Sequence, residues 1–209
     1  MLKSKKELIK KYDKKFWKDF KKSSDKYLPQ IVGKMPNIGK SLFSFNYKFG
    51  PCYIAWYKAF KELKVLDDEI DKNIWLMNEK MCEIIPQKML KLVGKTYING
   101  FRKKASEHIK RQEKGKLHPY DWKIDYREIN KNTFELDITE CAILKMAEDN
   151  NVRNMLPGIC RMDYLFSNLM GNGFERTKTL GDGNNCCNCR YHIVGKCEWA
   201  PEKGFEGRK

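Results

Sequence analysis

The stretch TLGDGNNCCNCRY, residues 179–191, places Cys186, Cys187 and Cys189 within four positions, just after a glycine-rich turn. Clustered thiols can hold a metal, close a disulfide or supply a nucleophile. Cys187, Cys189, His192 and Cys197 are soft ligands in the number that tetrahedral zinc needs. Zinc knuckles usually put two residues between paired cysteines, so that a tight turn aims both thiolates inward. Here one residue separates Cys187 from Cys189, and no second pair follows. In an extended strand Cys187 and Cys189 share one face, while Cys186 and Asn188 take the other. His192, at an odd offset from Cys187, falls on that other face too.

The nucleophile reading draws on more of the chain. Cys160 precedes Asp163 by three residues in a helical segment, which puts thiol and carboxylate on one face. Cys141 ends a predicted strand. Cys187 lies on the last strand with Arg190 close behind it, and Arg176 stands on the neighbouring strand. These groups can converge where helices pack on a sheet. A guanidinium beside a cysteine favours thiolate and can grip a substrate carboxylate with two parallel hydrogen bonds. The same residues also describe a packed core edge with an Asp–Arg pair, and spacing alone leaves both readings open. Cys52 and Cys82 read as small, inert hydrophobes, and His108 and His118 as surface histidines. No glycine-rich loop follows a strand and opens a helix, so nothing supports a nucleotide cofactor.

The elements that must position these groups follow from periodicity. Leu8, Tyr12, Phe16 and Phe20 recur every four residues and predict one amphipathic helix over 3–22. Residues 29–50, broken by Pro29, Gly33, Pro36, Gly39 and Gly50, read as a loop with short helical pieces. Pro51 then opens a helix to about Lys64. Asp67 and Asp68 start the next, which Pro86 breaks. Residues 87–113 are helical again. DWKIDYREI and NTFELDITEC alternate apolar and polar residues around Asn130–Asn132 and predict a β-hairpin. Two helical segments follow, over 140–150 and over 152–170, the latter interrupted near Pro157-Gly158. FERTKTL reads as a strand, GDGNN as a turn, CCNCRYHIV as the returning strand, and PEKGFEGRK as a frayed tail. The fold class is therefore α+β. A helical N-terminal half packs on a C-terminal antiparallel sheet of about four strands, in the order β-β-α-α-β-β. The expected organisation is a single domain over 1–209, mainly helical over 1–115 and sheet-containing over 116–200.

The formal net charge is +15, mostly lysine spread along helical faces and interleaved with Glu7, Asp13, Asp19 and Asp25. Such runs read as a solvated surface, so no specific nucleic-acid partner is expected. Apolar runs fall far short of the roughly 20 residues of a membrane span. The N-terminus lacks an apolar export segment, which predicts a cytoplasmic protein with reduced thiols.

The run from Cys141 through CRMD at 160–163 to FERTKTLGDGNNCCNCRY at 174–191 resembles the L-2-amino-thiazoline-4-carboxylic acid hydrolase family. That family's pattern is a Cys-x-x-Asp helix, an Arg-Thr strand followed by Thr-Leu, a glycine-rich turn and Cys-Asp-Phe-Arg. Here it falls on Cys160 and Asp163, Arg176 and Thr177, Thr179 and Leu180, Gly183, and then Cys187 to Arg190. Asn188 stands where the family usually has Asp, and Cys189 where it usually has Phe. LPQIVGKMPNIG and the aromatic helix YIAWYKAFKEL are similar to its N-terminal half. The resemblance implies hydrolytic opening of a 2-aminothiazoline ring in a small-molecule substrate, giving an N-carbamoyl cysteine, with no cofactor and no metal. On that reading Cys187 attacks, or Asp163 activates a water; Arg176 or Arg190 holds the substrate carboxylate; Cys160, Cys141 and Thr177 line the pocket. The rival from another class is a non-catalytic, sensor-like α+β module that binds a small ligand, or a metal through Cys187, Cys189 and Cys197.

Overall fold

The computed structural model describes residues 2–195 and 197. Five helices come first: α1 (Leu2–Lys11), α2 (Lys14–Val32), α3 (Ser44–Glu62), α4 (Asp67–Cys82) and α5 (Gln87–Glu113). The single helix expected over 3–22 is two helices. Asp13 takes an extended backbone and its carboxylate accepts the Phe16 N–H at 2.6 Å, which starts α2 afresh. The apolar stripe still works as one surface, because Leu8 and Phe20 are fully buried and Tyr12 and Phe16 stack on each other beside them.

The loop expected over 29–50 is shorter, and Pro51 does not open its helix. α2 runs on through Pro29, and α3 starts at Ser44 with Pro51 inside it. An internal proline costs a helix about 3 kcal/mol. Burial of Tyr47, Ile54, Trp56 and Phe60 on the same helix contributes about 1.5–3 kcal/mol for each large side chain, so packing outweighs local preference. Gly50 has its own reason: a Cβ there would stand 2.8 Å from Ile143 Cδ1, so its absence lets two helices close up.

The sheet has four strands, β1 (Lys123–Asn130), β2 (Thr133–Glu140), β3 (Gly173–Glu175) and β4 (Cys187–His192), in the spatial order β1-β2-β4-β3 and antiparallel throughout. Between β2 and β3 lie α6 (Ala142–Asp149), α7 (Leu156–Cys160) and α8 (Met162–Met170), with 3-10 turns at Arg153–Met155 and, before β4, at Leu180–Asp182. The fold is α+β, helices mostly first and the antiparallel sheet after them. Alternation sorts the strands: Ile124, Phe134, Leu136, Ile138, Phe174, Cys187, Cys189 and Tyr191 face the helices and join the main core. The outer face is polar. Arg127, Glu135, Arg190 and Glu175 lie in register on successive strands, a row of alternating charge.

Two boundaries near the site differ from expectation. The strand expected over FERTKTL is three residues long, so Arg176 sits just past its end. The helical segment breaks at Arg161 and not at Pro157-Gly158. Pro157 occupies the first turn of α7, where its missing N–H costs nothing. Gly158 presses on α4, where a Cβ would meet Ile74 Cγ2 at 2.8 Å. The frayed tail expected over 201–209 lies outside the described residues. Among those described, no helix is long and apolar enough to cross a membrane.

Candidate active site

Cys187 opens β4 on the inner face and is buried. Its sulfur accepts the backbone N–H of Leu180 at 3.2 Å and its thiol donates to Thr179 Oγ1 at 3.5 Å. Thr179 is ready for this because it caps the 3-10 turn, its Oγ1 also accepting the Gly181 N–H at 3.1 Å. A backbone N–H aimed at sulfur is the geometry that supports negative charge there.

Three other thiols surround this one. Cys141 follows β2 at the N-cap of α6, Cys160 ends α7, and Cys189 lies two residues on from Cys187 on the same face. Cys141, Cys160 and Cys187 lie within electrostatic reach of one another, and Cys160 and Cys189 feel both Arg176 and Asp163. Burial pushes the Cys141 thiol up to about 11. It pushes Cys160 up to about 12, against the pull of the Arg176 guanidinium. Burial raises Cys189 as well, again opposed by Arg176. These three thiols stay protonated at neutral pH.

Asp163, in the first turn of α8, and Arg176 form an ion pair at the edge of this cluster. Arg176 Nη1 donates to Asp163 Oδ2 at 2.9 Å, and Nη2 donates to the Cys160 carbonyl at 2.6 Å. The arginine side chain is 7 % exposed and the aspartate side chain 37 %. The guanidinium carbon lies 5.4 Å from the Tyr164 ring centre and 5.5 Å from that of Phe174, and Tyr164 Oη donates to the Arg176 carbonyl. Burial raises the Asp163 carboxyl above its ordinary range, opposed by the charge and hydrogen bond of Arg176. Tyr97 of α5 senses the Asp163 charge and borders the same spot.

The structure thus brings together Cys187, Cys160, Cys141, Asp163 and Arg176. Thr177 and Arg190 stand apart from Cys187. Arg190 points to the outer face, where its Nε donates to Glu135 Oε1 at 2.7 Å. Thr177 is engaged by Asn188. Both nevertheless line, with Arg176, Asn188 and Cys189, an outer cleft of about 350 Å³. Sequence reasoning missed Thr179 as the partner of Cys187, although Thr-x-Gly is a recognisable hydroxyl-capped turn. It also missed Tyr164, whose bond to Arg176 is tertiary and leaves no local signal.

His108, expected at the surface, is buried, because it continues the inner stripe of α5 with Ile98 and Ala105; its Nε2 lies 3.0 Å from the Trp122 carbonyl. His192 faces outward between Thr133 and Glu175, away from Cys187 and Cys189. Among the described residues, no group of three or more His, Cys, Asp or Glu side chains is placed to hold a metal ion.

A family model described as L-2-amino-thiazoline-4-carboxylic acid hydrolase matches residues 46–191. The chain belongs to that family. The match starts inside α3 and ends on β4, so it spans every group of the thiol site and reaches well into the helical half. Comparison with curated proteins gives no match.

Proposed function

We propose that the protein is a hydrolase that opens a small 2-aminothiazoline-4-carboxylate-type ring, with a cysteine in its site. The observation that supports this reading is that the family match spans the elements carrying Cys187 and Cys160, the latter in electrostatic reach of both Cys187 and the Asp163–Arg176 pair.

The substrate's reacting atom is the amidine-like carbon between nitrogen and sulfur. Cys187 as thiolate attacks that carbon, the ring C–S bond breaks, and the ring sulfur leaves as a thiol. The enzyme-bound isothiourea is then hydrolysed: water adds to the same carbon, Cys187 leaves as its thiol, and an N-carbamoyl cysteine results. One water is consumed overall and one new thiol is released. In the alternative route Asp163 takes a proton from water, which attacks directly. A carboxylate whose proton affinity is raised by burial is a better base for that step. Arg176 spends two of its five N–H donors on Asp163 and Cys160, which leaves donors for the substrate carboxylate.

The test is release of free thiol from L-2-aminothiazoline-4-carboxylate by wild type, Cys187→Ser and Asp163→Asn. Turnover lost in Cys187→Ser supports the covalent route. Turnover lost only in Asp163→Asn supports the water route. Full turnover in both variants would remove these residues from the chemistry.

A further inference from the structure

Asn188 sits between Cys187 and Cys189 on β4, but its side chain belongs to the other face. Its Oδ1 accepts two consecutive backbone N–H groups, from Thr177 at 3.1 Å and Lys178 at 2.6 Å, and its Nδ2 donates to Thr177 Oγ1 at 2.8 Å. Only the amide oxygen can accept both N–H groups, so the bonds themselves assign its orientation.

The segment held in this way joins two groups of the site. Immediately before it, Arg176 turns inward to Asp163, with its own carbonyl held by Tyr164 Oη. Immediately after it, Thr179 meets the Cys187 thiol, with its own carbonyl held by the Asn184 N–H and side chain. Every residue from 176 to 179 is therefore tethered, and the tether in the middle comes from the strand that carries Cys187. Thr177 and Lys178 are exposed and outside regular structure, and both of their backbone N–H groups go to Asn188.

We infer that Asn188 is a positioning residue, which ties the Thr177–Lys178 backbone to β4 and so sets the spacing between the Arg176 guanidinium and the Cys187 thiol. This rests on the reading that both groups work on one substrate. The chemistry required at 188 is an acceptor for two N–H groups. Aspartate meets it, accepting both N–H groups on one oxygen and the Thr177 hydroxyl proton on the other. Alanine does not.

The test compares wild type, Asn188→Ala and Asn188→Asp by two readouts. The first is amide hydrogen exchange at Thr177 and Lys178, which reports the tether whatever the substrate is. Asn188→Ala is expected to speed it roughly fivefold or more, the loss of about one hydrogen bond per amide, while Asn188→Asp leaves it slow. The second is kcat on L-2-aminothiazoline-4-carboxylate. Asn188→Ala is expected to lower it on the order of tenfold, as misplaced groups do, and Asn188→Asp to restore it. Unchanged exchange in Asn188→Ala overturns the tether. Faster exchange with unchanged kcat, or an Asn188→Asp kcat as low as that of alanine, overturns the positioning role. If wild type itself does not turn over, the proposed reaction fails, and the spacing is judged by alkylation of Cys187 with iodoacetamide. Asn188→Ala must then change its pH–rate profile and Asn188→Asp must not, or the inference falls. Should Asn188→Ala not fold, Asn188→Ser, too short to reach both N–H groups, takes its place.

Discussion

The guanidinium of Arg176, just past the end of β3, reaches the carboxylate of Asp163 in the first turn of α8 with Nη1 2.9 Å from Oδ2. The arginine is nearly sealed from solvent and the aspartate is not. Arg176→Met leaves a carboxylate among buried thiols without its counter-charge. A loss of about 3 kcal/mol is expected in urea unfolding, toward the low end for a broken buried pair because Asp163 is partly solvated. Arg176→Met with Asp163→Leu is expected to recover most of that loss, since the uncompensated charge goes with the second change. A double variant no more stable than the single would show that Arg176 acts through its rings and the Cys160 carbonyl instead.

Arg190 gives the contrasting case. Its partners lie in the exposed charge row on the outer face. Arg190→Ala is expected to change stability by less than about 1 kcal/mol, the range of surface ion pairs. It is also expected to cost less turnover than Arg176→Met. Equal losses of turnover would move the substrate carboxylate to the outer cleft that both arginines line.

The half-buried thiols Cys141 and Cys160 set an alkaline limit on stability. Unfolded cysteines ionise near 8.5, whereas Cys141 and Cys160 in the fold hold their protons to about 11 and about 12. Between those values the folded chain binds more protons than the unfolded chain, so unfolding free energy falls as pH rises from about 8.5 toward 11. Cys160→Ala removes one such group. Its urea-unfolding free energy is expected to decline less steeply over that window than that of wild type. Parallel slopes would mean that Cys160 is not shielded.

Asp163 carries the opposite chemical consequence, at acid pH. Burial raises its carboxyl, so as a base it is lost at a pH above the ordinary aspartate range of about 3.9. If water activation limits the rate, the kcat/KM profile has an acid limb above that value, and Asp163→Asn abolishes the limb together with the activity. A limb that persists with residual activity in Asp163→Asn belongs to another group.

Helix α5 meets α8 at Gly94, where any Cβ would overlap the Met170 carbonyl. Gly94→Ala must push the two helices apart. A cost of about 3 kcal/mol in Tm-based or denaturant measurements is expected. Because α8 carries Asp163, turnover is expected to fall with it. Wild-type stability in the variant would mean that the α5–α8 crossing has room for a methyl group at position 94.

The hairpin at Asn130–Asn132, the helix over 87–113 and the α+β order were legible because each is a local pattern. Pro29 and Pro51 misled because a proline's local cost is readable in sequence and the burial that outweighs it is not. The short β3 misled for a related reason. FERTKTL alternates like a strand, but the partners of Arg176 and Thr177 are Asp163, the Cys160 carbonyl and Asn188, which pull the chain out of the sheet. Helix spacing is the reason to pair Cys160 with Asp163, but the helix breaks between them at Arg161, and Arg176 links them by donating to both Asp163 and the Cys160 carbonyl. The outward aim of Arg190 was open to strand parity, since it is three residues from Cys187. The hydroxyl of Thr179 and the ring of Tyr164 depend on how separate segments dock.

The sheet order β1-β2-β4-β3 also governs when the site comes into being. β1 and β2 can zip together as a hairpin as soon as both exist. β4 must instead find β2 across a span such as Thr133 to His192, 59 residues apart. Closing that span costs a few kcal/mol more than closing the hairpin, roughly 2–3 by the logarithmic dependence on loop length. The intervening helices must settle before the gap between β2 and β3 is shaped to receive the thiol strand. A chain whose helices have formed but whose β4 is still unpaired therefore lacks the arrangement of the proposed site. Appearance of activity during refolding would follow the slowest, most non-local pairing in the molecule, well after helical signal has recovered.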